Sequence, residues 1–116
     1  MRSGKYIPHR GDIVWLDFNP QTGHEQKGRR PAIVISPKLY NEKTNLALFC
    51  PITKQKKGYP FEVELNTEKI QISGVILSDQ IKSLEWNKRN ADFIAKAEEE
   101  TLDTVIAKAS TLIEGI

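Results

Sequence analysis

Until residue 102 the apolar residues of this chain come in runs too short to make helices, and that grouping limits the fold more than any other feature. IVWLDF (13–18), PAIVIS (31–36), LALFCPI (46–52), PFEVEL (60–65), SGVILSDQIKSLEW (73–86) and ADFIAKA (91–97) are cut from one another by Gly, Pro, Asn and charged residues, the punctuation of short strands. PAIVIS is continuously apolar, as a strand covered on both faces would be, and Pro31 stands first, where a missing N–H is tolerated. PFEVEL alternates, with Phe61, Val63 and Leu65 on one face and Glu62 and Glu64 on the other. SGVILSDQIKSLEW reads as a long strand bent around Asp79 and Gln80, and KLYNEKTN (38–45) as a helical turn or irregular connection. Trp15, alternating with its strand neighbours, is assigned to the core. Only at the end does the period change. Leu102, Val105, Ile106, Ala109, Leu112 and Ile113 recur on one face of an α-helix. Glu98, Glu99 and Glu100 stand in its first turn, where the macrodipole favours anions, and Gly115 stands at its C-cap. That stripe serves either the core or a dimer contact. The pattern predicts a mostly β (α+β) chain, a small antiparallel barrel with a C-terminal α-helix, and residues 1–116 as a single domain.

Composition narrows the class further. No apolar run approaches the ~20 residues of a membrane span, and MRSGKYIPHRGD has charge but no apolar segment of a signal peptide. The single cysteine, Cys50, leaves no intrachain disulfide and no cysteine-rich metal site, and reads as a buried thiol in a reducing, cytoplasmic compartment. Charge is unevenly divided. Residues 1–60 carry 11 Lys and Arg against 4 Asp and Glu, whereas residues 61–116 carry 6 against 11. Such asymmetry suits either a basic face for a polyanion or two halves that attract one another.

Two polar loops follow the first and third strands, NPQTGHEQKGRR and TKQKKGYP, and in an antiparallel sheet they can rise at one edge. Together they offer Lys27, Arg29, Arg30, Lys54, Lys56 and Lys57 as cations. His24, Gln26, Thr53 and Tyr59 add hydrogen-bonding and stacking groups. Cations interleaved with an aromatic suit single-stranded nucleic acid, while any one lysine is ordinarily a solvated charge. Lys82 and Lys88 are read as solvated. No His or Cys spacing of a metal site is present, so no cofactor is expected. RNA cleavage needs none: the 2′-hydroxyl can attack the adjacent phosphate when a base takes its proton, an acid protonates the leaving oxygen and a cation meets the growing charge. His24 or Glu25 can be the base, Arg30 can give two N–H donors to the phosphoryl oxygens, and Thr53 can add a neutral hydrogen bond. Gln80 at its bend can read a base edge or satisfy a backbone group.

GDIVWLDFNPQTGHEQKGRRPAIVISP, followed by CPIT, KGYPFEVEL, GVILSDQIKS and a terminal helix, resembles the MazF/PemK family of toxin endoribonucleases, nearest to its chromosomal MazF type. The likeness runs from about Tyr6 to the C-terminal helix, in order and with similar spacing. It implies an SH3-like β-barrel of the PemK/CcdB toxin fold, a homodimer, and metal-independent cutting of single-stranded mRNA to a 2′,3′-cyclic phosphate and a 5′-hydroxyl. It also implies a MazE-type antitoxin whose acidic C-terminal tail lies across the RNA groove. Within the motifs, Arg30 matches the catalytic arginine, Thr53 the threonine after P-x, and Glu25 the acid of G-x-E-Q. His24 and Asp79 match a histidine and an aspartate used by plasmid-encoded members, but Leu77 stands where those members carry arginine. The resemblance therefore puts the catalytic weight on Arg30 and Thr53. Two other functions are compatible with such a fold: a catalytically silent RNA- or protein-binding module, and a gyrase poison like CcdB. The latter acts through a terminal Trp-Gly-Ile where this chain has Glu-Gly-Ile.

Overall fold

The computed structural model describes residues 6–19, 28–65 and 69–115. In chain order the elements are β1 (Asp12–Asp17), β2 (Arg29–Val34), α1 (Lys38–Thr44), β3 (Leu46–Thr53), β4 (Glu62–Glu64), β5 (Val75–Leu77), β6 (Lys82–Glu85), β7 (Asp92–Lys96) and α2 (Glu99–Glu114). A 3-10 turn, Trp86–Lys88, separates β6 from β7. Among the described residues the strands form one seven-stranded sheet, ordered β4-β5-β3-β2-β1-β7, with β6 also on β3. Every pairing is antiparallel. The expected mostly antiparallel sheet with a terminal helix is what forms. No helix of the described residues is long and apolar enough to cross a membrane.

β3 organises the sheet. One edge takes β2, and the other takes β6 against Leu46–Phe49 and β5 against Ile52–Thr53. The bend expected near Asp79 and Gln80 lies between those two short strands. Its size follows from register: Phe49 pairs with Lys82 and Ile52 with Ile76, so three steps along β3 are matched by six on the other side. The surplus is thrown out as a turn, closed by the Gln80 N–H donating to the Leu77 carbonyl at 3.1 Å.

Two apolar clusters explain the sequence pattern. Ile13, Ile33, Ile35, Cys50, Ile52 and Ile76 face one side with Val105 of α2, whereas Val14, Leu16, Ala32, Val34, Phe49 and Trp86 form the other. Alternate residues of PAIVIS thus enter different clusters, which is why the run shows no polar face. In α2 only Val105 and Ala109 are buried, Leu102 packs against the core, and Leu112 and Ile113 stand 50% and 80% exposed. Trp15 departs from its expected core position. It is 37% exposed, sharing the strand face of Ile13 but paired with Pro31 and Asp92 beyond a register irregularity at Ile13/Val14. The 38–45 segment forms helix α1, with Asn45 in the left-handed conformation as its C-cap.

A polar knot ties α1 to the sheet. The fully buried Asn41 amide donates to the carbonyls of Pro8 (2.8 Å) and Ser36 (3.1 Å) and accepts from the Ser36 hydroxyl (2.6 Å). The Asn41 carbonyl accepts from the Trp86 indole, and the Ser36 hydroxyl accepts from the Leu48 N–H. Asn41→Ala would strand several of these groups away from water, so it is expected to lower unfolding stability by about 2–4 kcal/mol. A urea denaturation curve checks this.

Candidate nucleic-acid interface

Strand alternation sends the two arginines of G-R-R-P in opposite directions. Arg29 is held between acids, its guanidinium 2.8 Å from the Asp17 carboxylate and 2.7 Å from that of Asp92. Arg30, one residue on, is exposed and makes no ion pair or hydrogen bond through its guanidinium among the described residues. The β2–β3 register pairs Ala32 with Pro51, and two further steps put Arg30 across from Thr53. A hollow of about 370 Å³ opens there, lined by Arg30, Thr53, Gln55, Lys57, Tyr59, Glu62, Leu77 and Gln80. A second hollow, of about 380 Å³, adjoins it through Arg30 and Gln80 and is lined also by Phe18, Asn19, Gly28, Pro51, Lys82, Leu84 and Arg89. The two make one groove with Arg30 and Gln80 at its waist.

Close backbone approaches shape the groove. A Cβ on Gly74 would lie 2.3 Å from the Thr53 carbonyl oxygen, and its φ of +133° excludes other residues, so glycine lets β5 close on the end of β3. At the second hollow, Gly28 sits where a Cβ would lie 3.1 Å from the Asn19 nitrogen, and its carbonyl accepts the Phe18 N–H at 2.8 Å. Asn19 and Gly28 are thereby brought together at the root of the 20–27 segment. The Thr53 hydroxyl accepts from the Gln55 N–H at 3.2 Å. The Tyr59 hydroxyl donates to the Asp79 carboxylate at 2.7 Å, a bond that raises its pKa to about 12.

The cations named from the sequence are divided by the structure. Arg30 and Lys57 line the groove, with Thr53, Tyr59 and Gln80 beside them, and Asp79 reaches it through Tyr59. Arg29 does not, being committed to Asp17 and Asp92. Lys54 and Lys56 line a separate hollow of about 330 Å³ with Glu64 and Gly74, and Lys56 pairs with Glu64 at 3.0 Å. His24, Glu25, Gln26 and Lys27 lie outside the described residues. Lys82 lines the second hollow rather than being merely solvated, whereas Lys88 is exposed beside Glu85. Sequence reasoning passed over Arg89 and Glu62. Arg89 lines the groove while donating to the Asp17 and Phe18 carbonyls, and only its pairing across the fold signals this role.

Asp17, the last residue of β1, is buried and bound by Arg29 and by the Asn90 amide at 2.8 Å. Burial alone would raise its pKa, but the hydrogen bonds from Asn90 and Arg29 and the charges of Arg29 and Arg89 outweigh it and hold the carboxyl below the ordinary range. Among the described residues no group of three or more His, Cys, Asp or Glu is placed to hold a metal ion.

A small antiparallel sheet with a terminal helix and a groove bearing Arg30, Lys57, Lys82 and Arg89 defines a protein suited to an extended polyanion. Residues 9–113 match the PemK-like, MazF-like toxins of type II toxin-antitoxin systems, and the chain belongs to that family. Over 109 residues it is 46% identical to the endoribonuclease toxin MazF of Escherichia coli K12, covering 94% of this chain and 96% of that protein. The crystal structure of MazF (Form-I) from Deinococcus radiodurans is similar with a TM-score of 0.85 and 47% identity, covering 95% of this chain and 99% of that one. That of MazE-MazF (Form-II) from the same organism gives 0.83 and 42%, covering 95% and 98%.

A carboxyl depressed in the folded state contributes stability above its unfolded pKa of about 3.9 that is lost as pH falls through the folded value. The urea midpoint of the protein is therefore expected to drop across that acid range, and to drop less in Asp17→Asn. Parallel curves for the two proteins would remove Asp17 from this role.

Proposed function

We propose that the groove binds single-stranded RNA and cuts it at Arg30, making this chain an endoribonuclease toxin of a type II toxin-antitoxin system. The observation that carries the reading is the exposed Arg30 guanidinium, without a partner among the described residues, across from Thr53 at the junction of the two hollows. A scissile phosphate seated at the waist receives two N–H donors from Arg30 on its non-bridging oxygens, and a further hydrogen bond from the Thr53 hydroxyl. The ribose 2′-oxygen attacks phosphorus as its proton passes to a base, the bond to the 5′-oxygen breaks, and that oxygen is protonated. A 2′,3′-cyclic phosphate and a 5′-hydroxyl result, and neither a metal nor an oxidant is needed to balance the step. Glu25 or His24, between Asn19 and Gly28 in the sequence, supplies the base. Gln26 and Lys27, with Lys57, Tyr59 and Gln80, hold the RNA on either side.

The match over residues 9–113 supports reading the chain as one such domain, acting on mRNA in the bacterial cytoplasm. A relative solved as a MazE-MazF complex supports a MazE-type antitoxin as partner, its acidic C-terminal tail competing for the same cations. The exposed Leu112 and Ile113 support a homodimer joined through α2. Changing both to serine is expected to yield a folded monomer by sedimentation, since neither is core; an unaltered dimer would move the contact elsewhere.

Purified protein incubated with a long unstructured RNA in excess EDTA is expected to give discrete fragments with cyclic-phosphate and 5′-hydroxyl ends. Arg30→Ala should slow cutting by about 100-fold or more, the scale of losing one transition-state donor, with an unchanged circular dichroism spectrum. Intact RNA with the folded, RNA-binding protein would instead establish a silent binding module.

A further inference from the structure

The loop between β3 and β4 forms one wall of the groove, yet residues 54–58 belong to no strand or helix. Tyr59 is tied to Asp79 and the Pro60 carbonyl to Lys108, but the backbone at Lys57 and Gly58 is held by one carboxylate. Glu62, at the start of β4, accepts the Lys57 N–H on Oε2 at 2.8 Å and the Gly58 N–H on Oε1 at 2.9 Å. Gly58 has a φ of +87°, and two successive N–H groups turned inward around such a residue form an anion cradle. Here the cradle is filled from within the chain.

Glu62 acts from a fixed base. Its backbone pairs with Leu77 of β5, its N–H donates to the Tyr59 carbonyl at 3.1 Å, and its carbonyl accepts from the Lys108 ammonium of α2 at 3.3 Å. Next to it the Phe61 carbonyl accepts the Ser78 N–H at 3.1 Å. The other ties of the loop's first residues are weaker or wetter: the Gln55 N–H on the Thr53 hydroxyl, and the exposed Lys56–Glu64 pair. With an N–H on each oxygen, the Glu62 carboxylate is engaged as an acceptor and is not placed as a free base toward Arg30.

We infer that Glu62 is a positioning residue for RNA binding, holding the 54–58 loop in the shape that presents Gln55 and Lys57 to the groove. The inference rests on the ribonuclease reading of that groove. Without the carboxylate the loop samples other shapes, and apparent affinity falls with the fraction that remains competent. Arg30 and Thr53 lie on strands and keep their places.

Steady-state cutting of a short fluorogenic RNA by the wild type, Glu62→Ala and Glu62→Gln tests this. Glu62→Ala is expected to raise KM about tenfold, equivalent to ~1.4 kcal/mol, with kcat within about threefold. Glu62→Gln, keeping one acceptor oxygen, should fall between the two. Amide hydrogen exchange should quicken at Lys57 and Gly58 while Val63 and Ile76 stay protected. A Glu62→Ala protein with wild-type KM, or one whose loss is all in kcat, overturns the inference while leaving the ribonuclease reading intact. A wild-type protein inert on RNA overturns both.

Discussion

Everything at the candidate site depends on β3 being paired along both of its edges. The eight-residue strand accepts β2 on one side and must share the other between β5 and β6. Three residues of surplus chain then have nowhere to go but outward, and the turn they make brings Asp79 and Gln80 beside the end of β3. The β2–β3 register places Arg30 at the same height. A groove is therefore the by-product of fitting two short strands against one long one, and Gly74 is the residue that lets the fit close.

The electrostatics divide along the same lines. Adjacent arginines leave a strand on opposite faces, so one guanidinium can be spent on architecture and the other kept for a ligand. Arg29 bridges Asp17 and Asp92 and fastens β2 to β1 and β7. Arg30 stays exposed, with a carboxylate nearby, that of Glu62, whose oxygens are turned to backbone N–H groups. An acid can therefore line the groove without an ion pair forming on Arg30. Lysines 54 and 56, equally basic on paper, face a different hollow, so the positive charge of the N-terminal half is not gathered in one place.

Much of the architecture is legible because burial imposes periods on sequence. PAIVIS announces a strand between two apolar layers, PFEVEL one with a single wet face, and the Leu102 stripe a helix with one apolar face. Periodicity does not tell how far a cover extends, so Trp15 reads as core although the apolar cover that buries Ile13 does not reach it. At the site, Arg30, Thr53 and Tyr59 are visible because they stand in the polar stretches that interrupt the apolar runs, although Arg30 and Thr53 prove to belong to β2 and β3. Arg89 and Lys82 are not, since their relevance comes from pairing across the fold and neither carries a local signal. Glu62 is hidden differently: in an alternating strand, glutamate on the outer face is what any solvated edge would show. Only its two backbone donors distinguish it.

Cys50 lies in the middle of β3, fully buried, with burial first and the charge of Asp79 second pushing its thiol pKa up to about 12. A thiol so placed presents neither an accessible sulfur nor an appreciable thiolate near neutral pH. Any reagent that modifies it must wait for the apolar cluster around it, which includes Val105 of α2, to come apart. The sole sulfhydryl of the chain is thus a clock for opening of the core on that side of the sheet, running at the rate at which its cover lifts.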